Sequence, residues 1–174
     1  MSTAKKTPAK KSAAEKPAVA KKTPSRKIAP KDATAMLKAD HKLVAGLFEE
    51  FEKTKSDARK TSIVAQICKE LTVHAQIEEE IFYPAVKAAL KDHELVPEAT
   101  VEHASVKDLI AAVQDKAPYG EMYDAKVKVM GEFVKHHVKE EEKEMFVKVR
   151  KTDLDLHALG AQMAVRKQEL MAAK

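Results

Sequence analysis

HAQIEEEIFY, residues 74 to 83, places a histidine and a glutamate four positions apart on the face of a helix that should be dry. From residue 58 to 90, apolar side chains recur at Ile63, Ile67 and Leu71, the pattern passes through His74 and Glu78, and it resumes at Ile81 and Ala85. This spacing predicts one long amphipathic helix with two polar residues inside its apolar stripe. A carboxylate there sheds its water at a cost of several kcal/mol unless something positive replaces it. A metal ion would satisfy Glu78 and His74 together.

The same pattern returns 63 residues later, in the stripe Val127, Met130, Val134, His137, Glu141 and Met145. His74 matches His137, Glu78 matches Glu141, and Tyr83 matches Phe146. A second pair of stripes, Leu37, His41, Val44, Phe48, Phe51 and Ala99, His103, Val106, Ile110, Val113, is offset by 62 residues, and each contains one inward histidine. The chain therefore reads as two related helical hairpins. Each hairpin offers two histidines and one carboxylate, a ligand set associated with non-heme Fe(II) sites that keep positions open. Two such sets facing one bundle core make a dinuclear site. One buried histidine would be an ordinary core residue, but six polar residues repeated in register require another explanation.

The motifs DH at 40–41, HAQIEEEIFYP at 74–84, EH at 102–103 and HHVKEEEKEMF at 136–146 resemble the hemerythrin-like domain, or HHE cation-binding domain, over roughly residues 32 to 150. The resemblance implies an all-α fold, an antiparallel up-down-up-down four-helix bundle, with a carboxylate-bridged non-heme di-iron centre. By that resemblance His41, His74, Glu78, His103, His137 and Glu141 are the metal ligands and the two glutamates are bridges, with manganese or zinc as alternative metals. Two positions depart from the oxygen-carrying members. Lys107 stands where they have a further histidine, which puts oxygen carriage in doubt and leaves more exchangeable water at one metal. Their bridging Asp falls here on Glu142, the alternative to Glu141, although Glu141 fits both the stripe and the repeat.

Composition divides the chain. Residues 1–31 hold ten Lys or Arg against one Glu, a balance of +9, while residues 32–174 hold 22 basic and 26 acidic side chains, a balance of −4. This Lys/Ala/Pro-rich segment, with AKKTP at 4–8 and again at 20–24, resembles histone H1-type tails and is expected to be disordered. Such a tail contacts DNA or other polyanions by releasing counterions. No apolar run is long enough for a membrane span, and the N-terminus lacks a secretory core. The single cysteine, Cys68, rules out an internal disulfide and fits a reducing compartment, so the expected location is cytoplasmic, with nucleoid association if the tail binds DNA.

Taken in order, Asp32 caps a first helix to about Lys53, and Ser56 or Asp57 caps a second that ends near Leu90. Pro97 suits the first turn of a third helix to about Lys116, and Ala117-Pro118-Tyr119-Gly120 is a turn before a fourth helix, about Glu121 to Lys151. The bundle is assigned to residues 32–151. Residues 152–174 form an extra C-terminal helix, capped by Thr152 or Asp153, with Leu156, Leu159, Met163 and Leu170 on its apolar side. Glu79, Glu80 and Glu140 fall off the stripe and are expected in water. His136 points away from the centre, and His93 and His157 have no place in the repeat. Tyr123 lies on the inward stripe, as packing or as a hydrogen-bond donor to a bound ligand. The expected function is a di-iron protein that binds or senses O2, peroxide or NO, or buffers iron. A nucleoid-associated protein and a di-iron oxidase or peroxidase are the alternatives, although no organic substrate pocket or nucleophile is evident.

Overall fold

The computed structural model describes Met1 and residues 32–91, 94–114 and 120–173. The H1-like tail, His93 and most of the turn expected at residues 117–120 lie outside the described residues. Asp32 starts the first helix, α1 (Ala33–Lys53), by accepting a hydrogen bond from the Ala35 amide at 2.9 Å. Ser56 Oγ does the same for α2 (Asp57–Ile77), accepting from the Arg59 amide at 3.4 Å. These caps satisfy amides that have no partner within a helix's first turn.

The second rod is not a uniform helix. After α2 it passes through a π-helical turn, Glu78–Phe82, and continues as α3 (Tyr83–Leu90) to Lys91, whose φ of 52° is left-handed. The fourth rod has the same construction: α5 (Glu121–Glu140), a π turn at Glu141–Met145, then α6 (Phe146–Val149). The third rod is α4 (Leu95–Val113). Each π turn begins at the repeated glutamate and holds one residue more than an α-helical turn. That residue rotates the stripe downstream, so Phe82 and Val86 are fully buried while Ile81 and Ala85 are only half-buried, contrary to the regular spacing expected from the sequence. The fourth rod also stops at Val149, two residues short of the expected Lys151.

α1 packs against α2 and α4 against α5, and the two hairpins close on each other as an antiparallel bundle. Gly131 lets α5 approach α1 closely, since a Cβ there would lie 3.2 Å from the Phe48 ring. The interior has three layers. One apolar cluster contains Leu47, Phe51, Ile63, Val113, Tyr123 and Val127, and another contains Leu37, Phe82, Val86, Phe146 and Val149. Between them lies the polar layer of histidines and glutamates.

The last helix, α7 (Leu156–Ala172), is capped by Asp155, which accepts from the His157 and Ala158 amides at 3.1 and 2.9 Å. Neither Thr152 nor Asp153 serves; the Thr152 hydroxyl instead donates to the Val149 carbonyl at 2.7 Å and closes the fourth rod. α7 lies across α1 and α2 and buries Leu159 and Met163. Among the described residues, no helix is long and apolar enough to cross a membrane.

Candidate metal centre

The four rods bring the six repeated side chains into one layer. His41 comes from α1, His74 from the last turn of α2, His103 from α4 and His137 from α5, while Glu78 and Glu141 open the two π turns. Glu78 is 0% and Glu141 1% exposed, and all four histidines are buried. Glu78 Oε2 lies 3.2 Å from His74 Nε2 and 3.4 Å from His103 Nε2, so it faces one imidazole of each hairpin. Glu141 Oε2 does likewise, 3.3 Å from His41 Nε2 and 3.6 Å from His137 Nε2. Donors of His41, His74, Glu78 and Glu141 lie within 4.8 Å of one another, as do those of Glu78, His103 and His137. These are two adjacent candidate cation positions that share Glu78.

Each of the four inward histidines also has a carboxylate behind it. Nδ1 donates to Glu142 from His41 at 2.9 Å, to Glu79 from His103 at 3.0 Å and to Glu102 from His137 at 2.7 Å. Asp40 faces His74 Nδ1 at the longer distance of 3.6 Å. These partners are repeated too: Asp40 and Glu102 precede the first-helix histidines, and Glu79 and Glu142 follow the inward glutamates. Each is backed by a basic group: Lys167 on Asp40 at 2.6 Å, Lys107 on Glu79 at 2.6 Å, Lys38 on Glu142 at 3.6 Å and His136 on Glu102 at 3.4 Å.

This wiring supplies the test of fit. Where Nδ1 carries the donated proton, Nε2 of a neutral imidazole is a lone pair. His103 and His137 then bring their Nε2 atoms to 3.2 Å of each other, a contact that needs either a proton on one of them or a cation beside them. Both oxygens of Glu78 and Oε2 of Glu141 are buried without a hydrogen-bond partner. Burial, and then the neighbouring Glu141, raise the Glu78 carboxyl well above its ordinary value. Burial would also raise Glu141, but His41, His137 and His74 outweigh it and its carboxyl is lowered. Burial pushes His74 down to about 4, so its imidazole is neutral at pH 7 and free to ligate. Two buried carboxyl groups and four inward nitrogens in one dry layer form a donor set of the kind that divalent metals take.

One expectation needs correction. Glu79, expected in water, holds both His103 and Lys107. Glu142 holds the outer nitrogen of His41 and is 32% exposed, whereas Glu141 points inward. Tyr123 packs in the apolar cluster away from the centre. The tyrosine at the centre is Tyr83, whose hydroxyl donates to Glu141 Oε1 at 3.0 Å and lies 3.3 Å from His103 Nε2. Burial, with Glu78 and Glu141 nearby, raises that phenol well above its usual range, so it is protonated and a donor. Its repeat with Phe146 was legible, but the π turn that brings it inward was not. Glu80 pairs with Arg166 at 2.7 Å, His136 lies between Glu102 and Glu140 at the surface, and His157 is exposed. Cys68 is buried at 3% exposure, in keeping with packing.

Beside the inward nitrogens lies a cavity of about 30 Å³, lined by the four histidines, Lys107 and apolar side chains including Val44, Leu71, Val106, Ile110 and Val134. One water requires roughly 10–15 Å³ on this measure, so the space suits a molecule of two or three atoms.

A four-helix bundle with a buried histidine and carboxylate core defines the class of metal-binding bundles. The family model of the hemerythrin HHE cation binding domain matches residues 32–149, and the chain belongs to that family. It is similar to the crystal structure of a hemerythrin HHE cation binding domain-containing protein, the Rv2633c homolog from Mycobacterium kansasii. The TM-score is 0.69 at 26% identity, covering 80% of this chain and 87% of that one. It is also 27% identical over 143 residues to the uncharacterized protein Rv2633c of Mycobacterium tuberculosis, covering 80% of this chain and 87% of the relative. A 115-residue stretch is 28% identical to a DNA nickase of Nostoc sp.; it takes in 66% of this chain but only 32% of the nickase.

Proposed function

We propose that the chain is a non-heme di-iron protein that binds O2, peroxide or NO, as a sensor or as a buffer of iron. The observation that carries this reading is the small cavity lined by all four site histidines together with apolar side chains. His41, His74, Glu78 and Glu141 would hold one metal; His103 and His137, with Glu78, would hold the other. Such a metal pair would supply two-electron chemistry toward a small ligand. The protein's own groups do the rest. Carboxylates fix the Nδ1 protons of His41, His103 and His137 so that Nε2 faces inward, Tyr83 presents a hydroxyl to Glu141, and Val44, Leu71, Val106, Ile110 and Val134 limit the size of what enters. Two histidines and shared carboxylates per metal favour iron over zinc, which prefers closed tetrahedral sets.

The test is to titrate the iron-loaded protein with azide and with NO while recording its spectrum. The reading expects stoichiometric, saturable changes that vanish in His74→Ala. Spectra that ignore both ligands while iron stays bound would contradict it. Sustained peroxide turnover above the free-iron background would favour the oxidase or peroxidase class.

A second reading rests on the ten basic residues of the N-terminal 31: the tail holds the bundle near DNA in the cytoplasm, where the metal centre removes peroxide or free iron. It expects DNA affinity that falls steeply with salt and is lost on deleting residues 1–31. Equal affinity without the tail would reject it. The nickase name is not carried over, because two thirds of that protein has no counterpart here.

A further inference from the structure

Three of the four outer carboxylates lie within 3.0 Å of the Nδ1 they support, and Asp40, at 3.6 Å from His74, does not. Asp40, one methylene shorter than the other three, is also held from its other side. Lys167 of α7 holds its Oδ1 at 2.6 Å, with Glu70 at 4.0 Å, and this ammonium is only 21% exposed. Asp40 Oδ2 and His74 Nδ1 are consequently both buried without a hydrogen-bond partner. The position that repeats Asp40 is Glu102, one methylene longer, and it reaches His137 Nδ1 at 2.7 Å while His136 stands behind it. The two hairpins are therefore unequal at this point. Lys167 also lies beyond residues 32–149, the part of the chain that the family model matches.

We infer that Lys167 is a positioning residue through which α7 keeps the metal held by His41 and His74 the more exchangeable of the two. Two effects run in the same direction. An ammonium on Oδ1 draws Asp40 away from His74 and leaves that imidazole a weaker ligand, since a histidine whose outer N–H is held by a carboxylate is the more basic donor. The ammonium also adds a positive charge near the same metal. Without it, Asp40 has His74 Nδ1 as its nearest donor and closes on it. α7 thereby couples its own docking on α1 and α2 to the release of one ion.

The inference rests on the dinuclear reading and is tested with cobalt(II) as the probe. Full-length protein is loaded with cobalt, mixed with excess EDTA, and followed by its visible spectrum. Failure to load about two cobalt ions per chain would count against the dinuclear reading itself. Given loading, the expected result is a fast and a slow phase of release. Lys167→Met should slow the fast phase by about tenfold and leave the slow phase alone, while Lys167→Arg should behave as the parent. Asp40→Glu should slow the same phase with Lys167 in place, because the longer side chain reaches His74, and this variant leaves the α7 cation intact. A purely structural role would lower the melting temperature and speed both phases. That outcome, an unchanged fast phase in Asp40→Glu, or equal changes in both phases would overturn the inference.

Discussion

Glu141 and Glu142 are neighbours with opposite environments, and the difference separates an inward carboxylate from one that supports a histidine from outside. Glu141 is 1% exposed and faces His41 and His137, whereas Glu142 reaches His41 from outside. Glu141→Ala and Glu78→Ala are each expected to lose stoichiometric metal. Glu142→Gln should keep both ions and weaken affinity by roughly 10- to 100-fold, as removal of an outer-shell partner does. Metal analysis after dialysis against graded chelator distinguishes the cases, and equal losses in Glu141→Ala and Glu142→Gln would refute the assignment. Tyr83→Phe removes the donor to Glu141 Oε1 and leaves another oxygen unsatisfied in a dry layer. It should cost about 1–3 kcal/mol in metal-free protein by urea unfolding.

The start of α1 tests the helices. Asp32 caps that helix, accepts from Thr34 at 2.7 Å and pairs with Arg150 at 3.1 Å, tying the first rod to the end of the fourth. Asp32→Ala should cost about 1 kcal/mol, measured by thermal unfolding, with metal content unchanged. Burial would raise the Asp32 carboxyl, but hydrogen bonds from Thr34 and Ala35 and the charge of Arg150 outweigh it and hold it below its ordinary 3.8. A lowered folded value means that this stabilisation is present above pH about 4 and is lost as the pH falls through the folded value, so parent and variant should converge in stability at pH below that value. The rods and these first caps could be read from the sequence because they depend on 3.6-residue spacing and on Asp or Ser at helix starts. The six inward residues could be read because each is both periodic and repeated. Tyr83, Glu79 and Glu142 could not, since each lies at or beyond a π turn, and nothing in HAQIEEEIFY marks where a helix takes an extra residue. Asp40 and Glu102 stand one position before an inward histidine, where a 100° rotation suggests solvent; only packing of neighbouring rods turns them toward His74 and His137. Lys167 is 127 residues away from Asp40, and no local pattern relates them.

The molecule as a whole is a polar layer held between two apolar clusters, and that layering ties metal to stability. Stripped of metal, it must keep Glu78 and Glu141 close together in a dry interior. A ligand that binds only the folded state adds about 2.7 kcal/mol at a hundred times its Kd. Chelator-stripped protein should therefore melt at a lower temperature in calorimetry and recover when metal returns; identical melting curves would contradict the account. The most direct measurement of the central claim is the metal content of full-length protein purified aerobically from iron-replete cells, taken with its ultraviolet-visible spectrum. The account predicts about two irons per chain, with charge-transfer bands of a bridged pair, both lost in Glu78→Ala. Protein that emerges without metal, or with a single zinc, would contradict it.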